Sequence, residues 1–174
     1  MTYLEMLIDS LNRARERFLR MLDGVTVEEA NAFPQADKAP QIKSLTWLTW
    51  HTARELDLQI AALAETESVW KRQDFALRFP FKLADQEDGW NHTLEQAQKI
   101  VTKDLDSLTD YLNAASSFVI DYLHSLNEAN LDEIVDDSWT PAVTRGVRLV
   151  SIIDDAAMHS GQAVYARRLL GLKD

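Results

Sequence analysis

Four histidines occur in the chain, His51, His92, His124 and His159, and one of them interrupts a face that is otherwise apolar. Ile152, Asp155, Ala156, His159, Ala163 and Leu170 recur at helical spacing. Asp155 and His159 are the polar members of that stripe, and four residues apart they meet on one side of a helix. A carboxylate and an imidazole removed from water must be paired, protonated or metal-bound. A simple Asp–His hydrogen bond is the plainest use of the pair. His51 adds a third donor from another segment, where Trp47, Glu55, Leu58 and Ala62 share its face. An i,i+4 pair on one helix and a single histidine on a second give three protein ligands. Positions left open on the ion mark a catalytic rather than a structural metal site. Two nitrogens and one carboxylate suit zinc or nickel, with iron and manganese also compatible. Glu55, one turn beyond His51, is placed to orient a ligand from behind.

The other two histidines are read differently. His124 points about 200° away from Tyr122 on its helix, and His92 directly precedes the helix-capping residue Thr93. Both are expected in solvent. A di-iron carboxylate site would need two Glu-x-x-His motifs, whereas Asp121 and His124 form a single, outward-facing match.

The elements that must carry these residues fall between the prolines, Pro34, Pro40, Pro80 and Pro141. Leu4, Leu7, Leu11, Ala14, Phe18 and Met21 predict a first helix, begun by the Thr2/Glu5 capping box and stopped near Gly24. A second opens at Ser44 with Leu45, Thr52, Leu56 and Leu63 on one stripe. A third is expected from Leu94 to Leu126, capped by Thr93 and Gln96. The fourth runs from about Thr144 to Leu170 and ends at Gly171; Thr140-Pro141 could start it earlier. Four such helices predict an all-α four-helix bundle, a single domain over residues 1–174. Two connections are long, 24–43 and 66–92. The second carries Trp70, Phe75, Leu77, Phe79, Phe81 and Trp90, with apolar residues alternating through 75–81. It reads either as a lid bordering the metal site or as a strap over an edge of the bundle.

With 174 residues the chain is long enough for one sizeable core. Its 18 basic residues against 28 acidic ones leave a net charge of −10, the wrong sign for a phosphate-backbone binder. No nucleic-acid partner is expected. The absence of cysteine removes disulfides, thiolate metal sites and a cysteine nucleophile, and fits a reducing cytoplasm. Acidic Glu5 and Asp9 argue against a signal peptide, and no apolar run is long enough for a membrane span.

The segments SLTWLTWHTAREL (44–56) and IIDDAAMHSGQAVYARRLLG (152–171) together resemble the DinB/YfiT-like superfamily along the whole chain. That resemblance implies a metal-dependent bundle in which a histidine of the second helix and an H-x-x-x-H pair on the fourth hold a divalent ion. His51 and His159 match two of these positions. Asp155 stands where the first histidine of the pair is usual, and the mycothiol-dependent maleylpyruvate isomerases, which the chain also resembles, use a glutamate there. Members of known chemistry bind and ionise a low-molecular-weight thiol such as mycothiol or bacillithiol on the metal. The resemblance thus implies a thiol S-transferase or isomerase acting on an electrophilic small molecule, and a homodimer.

Arg148, two turns before Asp155 on the same face, is a candidate to anchor an anionic part of a thiol cofactor, with Arg145 beside it. The simpler use of both is to neutralise the acidic run Asp132, Glu133, Asp136 and Asp137. Two other functions compete with the transferase: a non-enzymatic bundle that binds metal or a small ligand through a decayed site, and a dimerisation module. Metal content separates the last from the first two, and thiol conjugation separates the enzyme from the binder.

Overall fold

The hydroxyl of Thr2 accepts the Glu5 amide while the Glu5 carboxylate takes the Thr2 amide, and this reciprocal cap starts α1 (Tyr3–Leu22). Gly24, at φ +67°, lies just past its end. In this computed structural model, which describes residues 1–173, there follow α2 (Val27–Asn31), α3 (Leu45–Leu63) and α4 (Val69–Arg72). Next come α5 (Leu94–Ala97), α6 (Leu105–Ser125) and α7 (Arg145–Leu169). The protein is mostly helical, with one small antiparallel pair, β1 (Ile134–Asp136) and β2 (Val143–Thr144), in which Ile134 faces Thr144.

The long helices pack α1 against α7 and α6, and α3 against α6 and α7. Their directions follow from paired contacts. Arg17 bonds Ser160 and Arg167 bonds the Met21 carbonyl, so α1 and α7 run the same way. Asp57 meets Tyr111, and the Leu63 carbonyl meets Tyr122, so α3 and α6 also run together. His51 lies against His159 and Gln59 against Arg148, which sets α3 and α7 antiparallel. Leu11, Phe18, Leu45, Leu56, Leu112 and Ala156 are among the residues buried where the four meet.

Three sequence expectations are corrected. The continuous helix over 94–126 is broken into α5 and α6. Asn31 accepts the Thr102 amide at 3.0 Å and donates to the Thr102 carbonyl at 2.9 Å, taking both groups that a continuous helix would use. Asp104 then starts α6 afresh by accepting the Ser107 amide at 2.6 Å. Thr140-Pro141 starts no helix; it lies between β1 and β2, and Thr144 caps α7 instead. The period-two reading of 75–81 also gives way, since a 3₁₀ turn at Phe75–Leu77 buries Phe75 and Phe79 while Leu77 faces solvent.

Asp57 fastens the start of the long 64–104 crossing to α3. Its carboxylate, fully buried, accepts the Val69 amide at 2.6 Å, the Trp70 amide at 2.9 Å and the Tyr111 hydroxyl at 2.9 Å. Asp57→Ala strands three buried donors and should cost roughly 3 kcal/mol or more. That corresponds to a melting temperature lower by roughly 6–12 °C for a chain of this size, read by calorimetry.

Candidate metal centre

His51 on α3 and His159 on α7 are 1% and 8% exposed, and Asp155 lies one turn before His159. Each ring is held from behind. His51 Nδ1 lies 2.5 Å from the Asp88 carbonyl, and His159 Nδ1 lies 2.7 Å from Gln162 Oε1. A carbonyl oxygen only accepts, so both rings carry their proton on Nδ1 and keep an Nε2 lone pair for another partner. His159 Nε2 is 3.5 Å from Asp155 Oδ1. Both His159 Nε2 and Asp155 Oδ2 are buried with no hydrogen-bond partner.

One donor atom from each of His51, Asp155 and His159 comes within 4.8 Å of the other two. A divalent ion with bonds near ~2.1 Å draws such donors to within roughly 4 Å of each other, a contraction that side-chain torsions can make. Buried lone pairs without partners cost free energy, and a cation would satisfy two imidazoles and a carboxylate together. The residues present therefore fit a metal ion. An oriented imidazole backed by a carbonyl is also the usual outer support of a metal ligand.

Aromatic rings fix the site from one side. Trp47 stacks on His51 with ring centres 4.5 Å apart, and the His51 and His159 rings meet edge to face at 4.8 Å. Trp47 Nε1 in turn donates to His92 Nδ1 at 3.0 Å, and His92 stacks on Trp50 and reaches Glu87 at 3.3 Å. His92 was expected in solvent, yet its side chain is 7% exposed. The crossing segment folds it back onto Trp47 and Trp50. His124 is exposed, as expected.

Burial sets the electrostatics. Desolvation pushes the His51 imidazole down to about 4, against the raising effect of the Asp88 carbonyl. It raises the Asp155 carboxyl, opposed by His159 and aided by Asp154. Glu55 is pushed up to about 7, first by burial and then by Asp88, while Gln59 lowers it by donating at 3.3 Å.

Arg148 is turned to other partners. It bonds Asp136 at 2.9 Å and Gln59 at 3.3 Å, and Arg145 pairs with Glu133 at 2.6 Å. Both arginines thus neutralise the acidic run, and Arg148 touches the site through Gln59 and Glu55. The phenylalanines of the crossing segment lie apart from the donors: Phe75 packs on Tyr111, Phe79 on Trp70 and Phe81 on Trp50. The segment borders the site through Asp88, Gly89 and His92. Gly89, at φ +91°, has no room for a side chain, since a Cβ there would lie 2.9 Å from Trp50 Cζ3. The roles of Asp88 and His92 escape sequence reasoning, whereas Gln162, three residues beyond His159 on the same helix, lies in the His159-Ser160-Gly161-Gln162 stretch that carries the resemblance.

The sequence profile of the DinB superfamily matches residues 10–163. The chain belongs to the DinB superfamily. Its fold is also that of a conserved protein of Enterococcus faecalis, known from a crystal structure. The two are 49% identical, each is covered over 98% of its length, and they superpose with a TM-score of 0.91. No curated protein matches the chain. Among the described residues of this DinB-superfamily protein, no helix is long and apolar enough to cross a membrane.

Four outcomes follow for metal uptake, measured by elemental analysis and competition with a chromophoric chelator. His159→Ala should abolish stoichiometric metal and Asp155→Asn should weaken it. Asp155→His should keep or strengthen it, and His124→Ala should change nothing. The pH dependence has a definite sign. Binding needs an ionised Asp155, whose carboxyl is raised by burial in the free protein, so the rise in melting temperature on adding metal should grow with pH through the window in which that carboxyl loses its proton. His51, already neutral down to about pH 4, adds no competing proton above that pH.

Proposed function

We propose that this DinB-superfamily protein is a divalent-metal-dependent thiol S-transferase or isomerase, with His51, Asp155 and His159 as its metal ligands. One observation carries the reading: buried His159 Nε2 and Asp155 Oδ2 have no hydrogen-bond partner and stand beside His51. Zinc and nickel suit two imidazoles and a carboxylate best, with iron and manganese as alternatives. A bound divalent ion supplies a lowered thiol pKa, so that a low-molecular-weight thiol such as mycothiol or bacillithiol is held as the nucleophilic thiolate at neutral pH. The chain's own residues do the rest. Asp88 and Gln162 fix the two imidazoles, Trp47 excludes water from one face, and Glu55, poised near pH 7, can hold a proton released in the site. An electrophilic small molecule is the second substrate.

Arg148 is proposed as the anchor for an anionic part of the thiol. Engaging it requires exchange of the Asp136 partner, a half-buried pair at 2.9 Å in which each side chain keeps 27% of its surface in solvent. The proposal includes a single four-helix-bundle domain over residues 1–174, a cytoplasmic location and a homodimer. An exposed line of Val147, Val150, Met158 and Tyr165 along α7 supports a self-association face. Light scattering at micromolar concentration should give twice the monomer mass, and a monomer removes the dimer.

The enzyme assay uses protein loaded with zinc or nickel, a panel of mycothiol, bacillithiol, glutathione and cysteine, and monobromobimane as the electrophile. At least one thiol should be consumed faster than in the protein-free reaction. His159→Ala and chelator treatment should each lower that rate at least about 100-fold, beyond the loss expected from disturbing an outer support. Full metal occupancy without acceleration for any thiol would favour the non-enzymatic binder instead.

A further inference from the structure

Arg54 is the largest buried charge that the proposed chemistry leaves unused. It lies three residues beyond His51 on α3, is 0% exposed, and has no carboxylate within ion-pair distance among the described residues. An arginine taken out of water without a counter-charge is costly unless its donors are used. Two of them are: Nε donates to the Glu87 carbonyl at 3.0 Å and Nη2 to the Asp85 carbonyl at 2.9 Å. Its guanidinium also covers the Trp70 ring at 5.2 Å. The next carbonyl along, that of Asp88, is the one that holds His51 Nδ1. One helix therefore grips the crossing segment at 85 and 87 and receives it back at 88.

We propose that Arg54 is a positioning residue for the metal centre: it fixes residues 85–88 so that the Asp88 carbonyl locks His51 with Nε2 toward Asp155 and His159. This rests on the metal reading above for its consequence, though not for its geometry. A planar fork of donors holds two carbonyls two residues apart in fixed geometry, whereas a lysine presents a compact point charge whose donors rotate. Gly89 reaches the same segment from the other side, because a Cβ there collides with Trp50 and pushes the chain next to Asp88.

The test reads the His51 tautomer in metal-free protein by long-range proton–nitrogen NMR, and zinc affinity by chelator competition. Wild type should show one Nδ1–H tautomer. Arg54→Met should convert it to a mixture and weaken zinc binding at least tenfold, the effect typical of losing an outer support. Arg54→Lys should fall between, and Gly89→Ala should act like Arg54→Met with the arginine intact. Val119→Ala, in the α6 core, serves as a control that lowers the melting temperature without moving either readout. An unchanged tautomer with zinc affinity within twofold in Arg54→Met overturns the proposal, as does an equal zinc loss in Val119→Ala. If Arg54→Met does not fold, Arg54→Lys and Gly89→Ala decide by the same readouts. If wild type takes up none of zinc, nickel, iron and manganese, the metal reading fails while the tautomer still decides Arg54.

Discussion

Because α3 and α6 lie side by side and point the same way, the chain leaving Leu63 must travel back along about 28 Å of helix before α6 can begin. A short turn joins only antiparallel neighbours. The 64–104 crossing is the consequence, and it runs back toward the end of α3 that carries His51. Asp57 catches it on the way out through the Val69 and Trp70 amides, and Arg54 catches it on return through the Asp85 and Glu87 carbonyls. Its aromatic residues fill the space between these two anchors against Tyr111 and Trp50.

This accounts for an otherwise awkward property of α3. The helix buries Thr46, Thr49, His51, Thr52, Arg54 and Asp57. A polar side chain in a core is tolerable when a partner meets it. For His51, Arg54 and Asp57 that partner is main chain from the crossing, and Thr49 bonds back to its own helix at Leu45. The arrangement is stable only as a whole: the crossing is ordered by the polar groups of α3, and those groups are affordable in the core only while the crossing is there. His51 inherits a fixed ring orientation from that mutual dependence.

What the sequence disclosed divides along the same line. Features written in local spacing were legible: the Thr2/Glu5 box, the Ser44 and Thr144 caps, Gly171 beyond α7, and the two polar residues that interrupt the α7 stripe. That His51, Asp155 and His159 stand together was legible because Asp155 and His159 break an apolar stripe and His51 lies beside one on a second helix, the positions that the family resemblance also picks out. Features made by distant main chain were not. Leu94, Ala97 and Val101 keep helical phase, but Asn31, some 70 positions earlier, takes the Thr102 backbone and ends the helix. His92 looked like a solvated residue before a cap because nothing local announces Trp47 and Trp50 above it. Arg54 and Asp57 passed as ordinary charges on a helix for the same reason.

In the proposed metal reading, a carboxylate at position 155 would change the charge of the centre as well as its reach. A divalent ion held by three neutral imidazoles keeps a charge of +2, whereas two imidazoles and an ionised Asp155 reduce it to +1. Adding one thiolate makes the second centre neutral and leaves the first at +1. In a site walled by Trp47 and largely closed to solvent, the neutral assembly carries the smaller desolvation cost. In the proposed function the same carboxylate would soften the pull of the ion on a thiol, so that less of the thiol's acidity would come from the metal and more from a nearby base. Glu55, raised to about 7 by burial and by Asp88, is the neighbouring group whose proton affinity matches that task. In that proposal the aspartate at 155 and the half-buried Glu55 one turn from His51 would be complementary: the first would trade acidity for charge balance, and the second would supply a place for the proton.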